Sequence, residues 1–209
     1  MNVRFTLVAE GSTDVALLPI LKWAVQSDPR VMRVEANFAD PGMLPPVRKG
    51  LNMRILRAVN LFPANLVFVH RDADRGPAEV RRNEIRRAAL PGQLTVPVVP
   101  VRMTEAWLLI DEEAIRSAAG NPRGAVGLGL PRLGAIEGIA NPKDILFRAL
   151  REASELHGRR LRKFSETAAA SLVAERIGDF SPLLELAAFR EFRSFLSEAL
   201  DSLQASQMG

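Results

Sequence analysis

Asp72 and Asp74 stand one residue apart in "HRDADRG", directly behind the apolar run "NLVFV". Close carboxylates repel each other, so such a pair needs compensation. Either arginines supply it, and Arg71 and Arg75 flank the pair, or a metal ion does. A second acidic group, Glu10 and Asp14, follows the first apolar run in "VAEGSTD". Three or four carboxylates meeting at one point would suit a hard cation such as Mg²⁺ or Mn²⁺. Such a cation takes oxygen ligands and completes its shell with water and substrate phosphates. Alone, the Asp-x-Asp is equally consistent with a turn, because aspartate side chains bond to nearby backbone. The metal reading therefore requires the two acidic groups to be brought together by the fold.

The elements that would do this are legible as a rhythm. Residues 3–9, 31–39, 65–69 and 94–101 read as strands. Helical spacing follows the first at Leu17, Ile20, Leu21, Ala24 and Val25, with Ser12 or Thr13 as a cap and Pro19 marking a kink or a start near Leu18. Residues 47–62 and 77–90 read as two further helices, the second with proline at its first position. The prolines in "LTVPVVPV" place the fourth strand near an edge or a strand end. Strand and helix in alternation imply a mostly parallel sheet flanked by helices. Ligands bind such sheets at the carboxyl ends of the strands, where both acidic groups fall. Residues 120–138 are rich in Gly and Pro and read as loop. From Pro142 the chain reads as helices to about Leu203. The 209 residues divide as an α/β unit, 1–119, and a loop and helical C-terminal extension packed on it, 120–209.

Composition narrows the chemistry. Hydrophobic residues make up 47%, enough for a substantial core, and the net charge of +4 permits nucleic-acid contact without demanding it. The absence of cysteine excludes disulfides, zinc ribbons and thiol catalysis. The first apolar run is too short for a signal-peptide core, and no stretch approaches the roughly 20 apolar residues of a membrane helix. A cytoplasmic protein is expected. "HRD" lacks the asparagine of a kinase catalytic loop, since Pro77 stands five residues after Asp72. "GLGLPRLG" lacks the ending of a phosphate loop. Trp23 and Trp107 sit in apolar settings and read as core. Two distant histidines, His70 and His157, are poor material for a zinc site.

"VAEGSTD" with "VFVHRDADRG" resembles the TOPRIM domain of topoisomerases, primases and OLD-type nucleases, which has Glu-Gly after its first strand and Asp-x-Asp after a later one. The remainder resembles a narrower group of stand-alone TOPRIM-like proteins encoded beside ABC-type or SMC-like ATPases in bacteria, with ties to phage defence. "EAWLLID" (Glu105–Asp111), "NPK" (Asn141–Lys143) and the basic turn before "KF" (Lys163–Phe164) carry that likeness. The resemblance implies a TOPRIM- or Rossmann-like four-stranded or slightly larger sheet. It makes Glu10 a general acid/base or metal ligand and Asp72 and Asp74 the metal pair, with Glu105 a possible further acid. Gly76 stands four residues after Asp72, one fewer than in topoisomerase-type motifs, which implies a tighter turn.

The basic residues admit two readings. Arg81, Arg82, Arg86 and Arg87 can pair with Glu79 and Glu84 on a solvated helix face, or can track phosphates. Arg71 and Arg75 are either ion-pair partners of the acids or ligands of a phosphoryl group. Arg159, Arg160 and Lys163 in "HGRRLRK" have no acidic neighbour within the run and, with Lys143, are candidates for nucleic-acid or partner contact. The expectation is a Mg²⁺- or Mn²⁺-dependent phosphoryl-transfer subunit acting on nucleic acid, of nuclease type, with an ATPase as partner. The alternative is a non-catalytic TOPRIM-shaped subunit that docks on an ATPase and regulates it.

Overall fold

The computed structural model describes residues 1–74 and 76–208. Four strands, β1 (Asn2–Val8), β2 (Arg33–Ala39), β3 (Leu66–His70) and β4 (Thr95–Val98), form one all-parallel sheet in the order β2-β1-β3-β4. Helices α1 (Leu17–Gln26), α2 (Leu51–Leu61) and α3 (Ala78–Ala88) lie between successive strands. After β4 come α4 (Glu112–Ala118), α5 (Pro142–Ser154), α6 (Gly158–Arg162), α7 (Glu166–Arg176) and α8 (Ala187–Met208). Among the described residues no helix is long and apolar enough to cross a membrane.

Burial explains the strand order. Every residue of β3 is buried, as its unbroken apolar run requires of a strand covered on both faces. β2 is half exposed and lies at one edge. β4 occupies the other edge, where Pro97, opposite Val69, costs the sheet little for its missing N–H. Side chains alternate between two cores. Phe5, Leu7, Phe68, Val96 and Val98 pack with α1 and with apolar residues of α4, α5, α7 and α8. Val8, Val67 and Val69 pack instead with Ile55 and Ala58 of α2 and Ile85 and Ala88 of α3.

Several local details differ from the sequence reading. The turn after β1 is a 3₁₀ segment, Ser12–Ala16, entered from Gly11. Neither Ser12 nor Thr13 caps it. Asp14 does so from within, its carboxylate accepting the Gly11 N–H at 2.9 Å. Pro19 is the third residue of α1, where a backbone N–H has no intrahelical partner, so it ends no hydrogen bond. The periodic segment 47–62 is interrupted at Gly50, whose φ of 107° takes the chain out of the helical region. Only Leu51 onward is α-helix, after a 3₁₀ turn at Val47–Lys49. β2 begins at Arg33 and β4 stops at Val98, both shorter than their apolar runs. Residues 133–138, within the expected loop, form a 3₁₀ turn.

An aromatic chain ties the C-terminal helices to the sheet. Phe5 and Phe68 meet edge to face at 4.9 Å, Phe68 meets Phe192 of α8 at 5.9 Å, and Trp107 meets Phe189 of α8 at 5.1 Å. Leu146, Ala149 and Leu150 of α5 and Ala169 and Val173 of α7 enter the same core. Sheet and helices should therefore unfold together. Phe192→Ala is expected to cost about 3–5 kcal/mol and to lower Tm on the order of 10 °C. Circular dichroism melting should show one transition for both parent and variant. Two transitions would mean that the C-terminal helices unfold apart from the sheet.

Candidate active site

β1 and β3 are hydrogen-bonded neighbours, with Val8 opposite Val69. Glu10 leaves the sheet two residues beyond β1, and Asp72 and Asp74 leave it two and four residues beyond β3. The two acidic groups thus emerge side by side at the carboxyl end of the sheet.

Arginines compensate them. Arg71 is buried, and its Nε donates to Glu10 Oε1 while its Nη1 donates to Glu84 Oε1 of α3. Arg81, also on α3, bridges Asp74 Oδ2 at 3.1 Å and Glu84 Oε2 at 3.2 Å. Its Nε donates to the Asp72 carbonyl at 3.2 Å. Charge-assisted pairs of this kind are among the stronger hydrogen bonds, and burial limits their screening. Of the two arginines flanking the Asp pair, Arg71 is thus an ion-pair partner of Glu10. Arg75 lies outside the described residues.

His70 is the third compensating cation. Its ring, the last residue of β3, is fully enclosed between two aspartates. Nε2 lies 3.2 Å from both Asp72 Oδ1 and Thr104 Oγ1. Nδ1 lies 3.3 Å from Asp14 Oδ2, a charge contact whose geometry falls short of a hydrogen bond. Burial alone would push the imidazole toward its neutral form, but the contacts with Asp14 and Asp72 outweigh it and raise the pKa to about 9. For Asp14, burial acts upward. The contact and charge of His70, with the Gly11 and Glu10 N–H groups, overcome it and hold the carboxyl below its ordinary value.

A fourth cation lies behind the site. Arg54 of α2 is buried, with Nη2 donating to the Ala9 carbonyl at 2.5 Å and Nη1 to the Pro45 carbonyl at 2.9 Å. Burial lowers its pKa from the ordinary guanidinium value. It braces the turn that carries Glu10. Sequence reasoning missed Arg54 and Thr104, and named Glu84 only as a partner for the α3 arginines, not as a partner of Arg71. The available signal for Arg54 was its position among Leu51, Ile55 and Ala58, on the buried stripe of α2.

The backbone here is also unusual. Asp74 (φ 53°) and Arg102 (φ 68°) are both left-handed, and the Asp74 N–H donates to the Arg102 carbonyl at 3.2 Å. Non-glycine residues adopt this region at a cost and concentrate at functional sites.

The other candidate residues are placed elsewhere. Glu105 pairs with Lys143 at 3.2 Å, and Lys143 lies 5.6 Å over the Phe147 ring. That pair lines a small cavity of about 30 Å³ with Thr13, Asp14 and Thr104. Among the described residues it makes no ion pair with Glu10, Asp72 or Asp74. Arg159 and Arg160 of α6 and Lys163 just beyond it are exposed, and none bonds to the acidic site. His157 is exposed at the start of α6.

The donor set suits Mg²⁺ or Mn²⁺ in kind, since Glu10, Asp72 and Asp74 offer only carboxylate oxygens. As the side chains stand, each is turned to a cation, and among the described residues no three acidic or histidine side chains are gathered to hold a metal. Asp74 is the most exposed of the three and has one ion-pair partner, so it is the freest to turn.

The pKa shifts set a pH dependence for stability. His70 has a raised folded-state pKa. Its contribution is fully present below pH 6.5 and is lost as the pH rises through about 9. Asp14 acts oppositely, contributing above its ordinary value and losing that contribution as the pH falls through its lowered one. Tm should fall by roughly 5 °C between neutral pH and the far side of the His70 titration, and His70→Gln should flatten that slope. NMR of the two ring systems, with exposed His157 as internal reference, should show His70 protonated at pH 7. A neutral His70 ring at that pH would contradict the assignment.

No protein-family model, curated protein or solved structure matches the chain, and the chemistry of this site is read from its own geometry.

Proposed function

We propose that the chain is a Mg²⁺- or Mn²⁺-dependent phosphoryl-transfer subunit of TOPRIM type that hydrolyses phosphodiester bonds in nucleic acid. The observation that carries this reading is the convergence of Glu10 with Asp72 and Asp74 beyond two adjacent central parallel strands. The resemblance of "VAEGSTD" and "VFVHRDADRG" to the TOPRIM motifs supports it, and an ABC- or SMC-type ATPase partner enters through the resemblance alone.

On this reading Asp72 and Asp74 would hold the cation, which would supply charge neutralisation at the scissile phosphate. Glu10 is the proton acceptor. Arg71 holds one of its oxygens and is itself fixed by Glu84, which leaves the second oxygen to take a proton from an attacking water. The water oxygen bonds to phosphorus, the bond from phosphorus to the leaving oxygen breaks, and that oxygen takes a proton from solvent. Arg81, which now pairs with Asp74, would be free to meet a phosphate oxygen once Asp74 turned to a cation.

Labelled single- and double-stranded oligonucleotides incubated with Mn²⁺ or with a chelator test this directly. Cleavage should require the metal and should fall about 100-fold or more in Glu10→Gln and in Asp74→Asn. Asp74→Asn should melt within a few degrees of the parent, since Asp74 is exposed and Arg81 keeps Glu84, whereas Glu10→Gln should melt lower, since buried Arg71 keeps only Glu84. Metal-dependent cleavage that survives both substitutions would place the chemistry elsewhere.

A further inference from the structure

Arg81 stands between two open grooves. One, of about 520 Å³, runs between the start of α2 and the outer face of α3 and is lined by Arg48, Asn52, Val80, Glu84 and Arg87. The other, of about 630 Å³, is lined by Asp74, Arg102, Met103, Ala140 and Asn141. Glu84 forms part of the first wall and Asp74 part of the second, and Arg81 bridges those two carboxylates. Both grooves therefore border the acidic centre, from opposite sides of one guanidinium.

The arginines sort by pairing. Arg82 is taken by Glu79 and Glu191, and Arg86 by Glu79 and the face of Phe195. Arg87 is exposed and, among the described residues, has no carboxylate partner. The same holds for Arg48. Arg102 spends a single weak bond on the protein, at 3.4 Å to the Asp74 carbonyl, although its backbone is held left-handed. Among the described residues, Arg48, Arg87 and Arg102 have no carboxylate partner and line the grooves. Among the described residues the centre has no positive surplus, since the five carboxylates of Glu10, Asp14, Asp72, Asp74 and Glu84 outnumber the guanidinium groups of Arg71, Arg81 and Arg54 beside them. Attraction for an anion must come from the flanks. Cations on both flanks suit a ligand that carries successive phosphates past the centre and not a single phosphate resting on it.

We infer that the two grooves form one track for a nucleic-acid strand. Arg48 and Arg87 hold the backbone on one side of the acidic centre and Arg102 holds it on the other. This inference rests on the phosphodiester reading above and names the contacts of its substrate.

The test measures binding alone, on the full chain with chelator present so that no strand is cut. Fluorescence anisotropy follows labelled single-stranded oligothymidylates of about 4 and about 16 nucleotides over a salt series. The longer strand should bind the parent at least about 10-fold more tightly than the shorter one. Arg48→Gln with Arg87→Gln, and separately Arg102→Gln, should each weaken the longer strand about 5-fold or more and reduce the slope of log affinity against log salt by about one per arginine removed. Arg102→Lys should recover most of the slope, which a purely structural role for Arg102 would not produce. Arg123→Gln with Arg176→Gln, at the cleft beside α4, should change neither quantity. Unchanged affinity and slope in the groove variants would overturn the track, as would equal losses from that control pair or no binding by the parent at low salt. If the groove variants lose binding while the parent never cleaves with metal, the track stands and the catalytic reading falls. If the parent cleaves and the groove variants bind normally, only the track falls.

Discussion

The buried Arg71 guanidinium is the constraint on which the carboxyl end of the sheet depends. It is the first residue beyond β3, and it joins Glu10 from the neighbouring strand to Glu84 from α3. Three elements thereby converge on one planar cation. Removing a charge from a buried pair costs more than the pair is worth, because the partner is left desolvated and uncompensated. Arg71 could not be exchanged for lysine without loss, since a single ammonium cannot reproduce two directed N–H groups aimed at carboxylates on different elements.

That constraint spreads outward through shared partners. Glu84 is held by Arg71 and Arg81, Arg81 also holds Asp74, and Asp72 is held by His70, which in turn faces Asp14. The turn after β1 is set by Asp14 from within and by Arg54 from behind. The result is two runs of alternating charges, Glu10–Arg71–Glu84–Arg81–Asp74 and Asp14–His70–Asp72, at the end of a sheet whose own stability comes from apolar packing on both faces. The division is physical: the two cores fix where β1 and β3 end, and the ion pairs fix where their polar side chains point.

Much of the fold was legible because the signals were local and strong. The unbroken run 65–69 marked a strand buried on both sides, and Pro97 marked an edge. The alternation of strands with helices required Glu10 and the Asp pair to leave the sheet at the same end. Their adjacency could not be read from the rhythm, because strand order is decided by which faces the helices cover. Boundaries failed where backbone geometry overrode pattern, as at Gly50, where one positive φ splits an otherwise continuous helical stripe. The partners of the acids were the least legible part. Arg71 and Arg81 were visible as arginines, but whether each faces a carboxylate or solvent depends on the angle at which α3 crosses the sheet. Arg54 is one of several cations in the segment 47–62. Only its register with Leu51, Ile55 and Ala58 set it apart.

The same pairings bear on how a cation would enter. Each acid is already satisfied, so binding a divalent ion is an exchange and not a simple addition. Asp74 can turn away from Arg81 at the least cost, because Asp74 itself is exposed and Arg81 keeps Glu84. Asp72 is costlier to move, because its partner His70 is fully enclosed and would be left charged against Asp14 and the Thr104 hydroxyl alone. Glu10 is intermediate, half-exposed itself but tied to a buried arginine. On the proposed reading the exchange begins at Asp74. A phosphate arriving with the cation offsets the loss at Arg81, which gains an anionic partner as it gives one up. Metal and nucleic acid would then assist each other's binding through one guanidinium, because each supplies the charge that the other displaces.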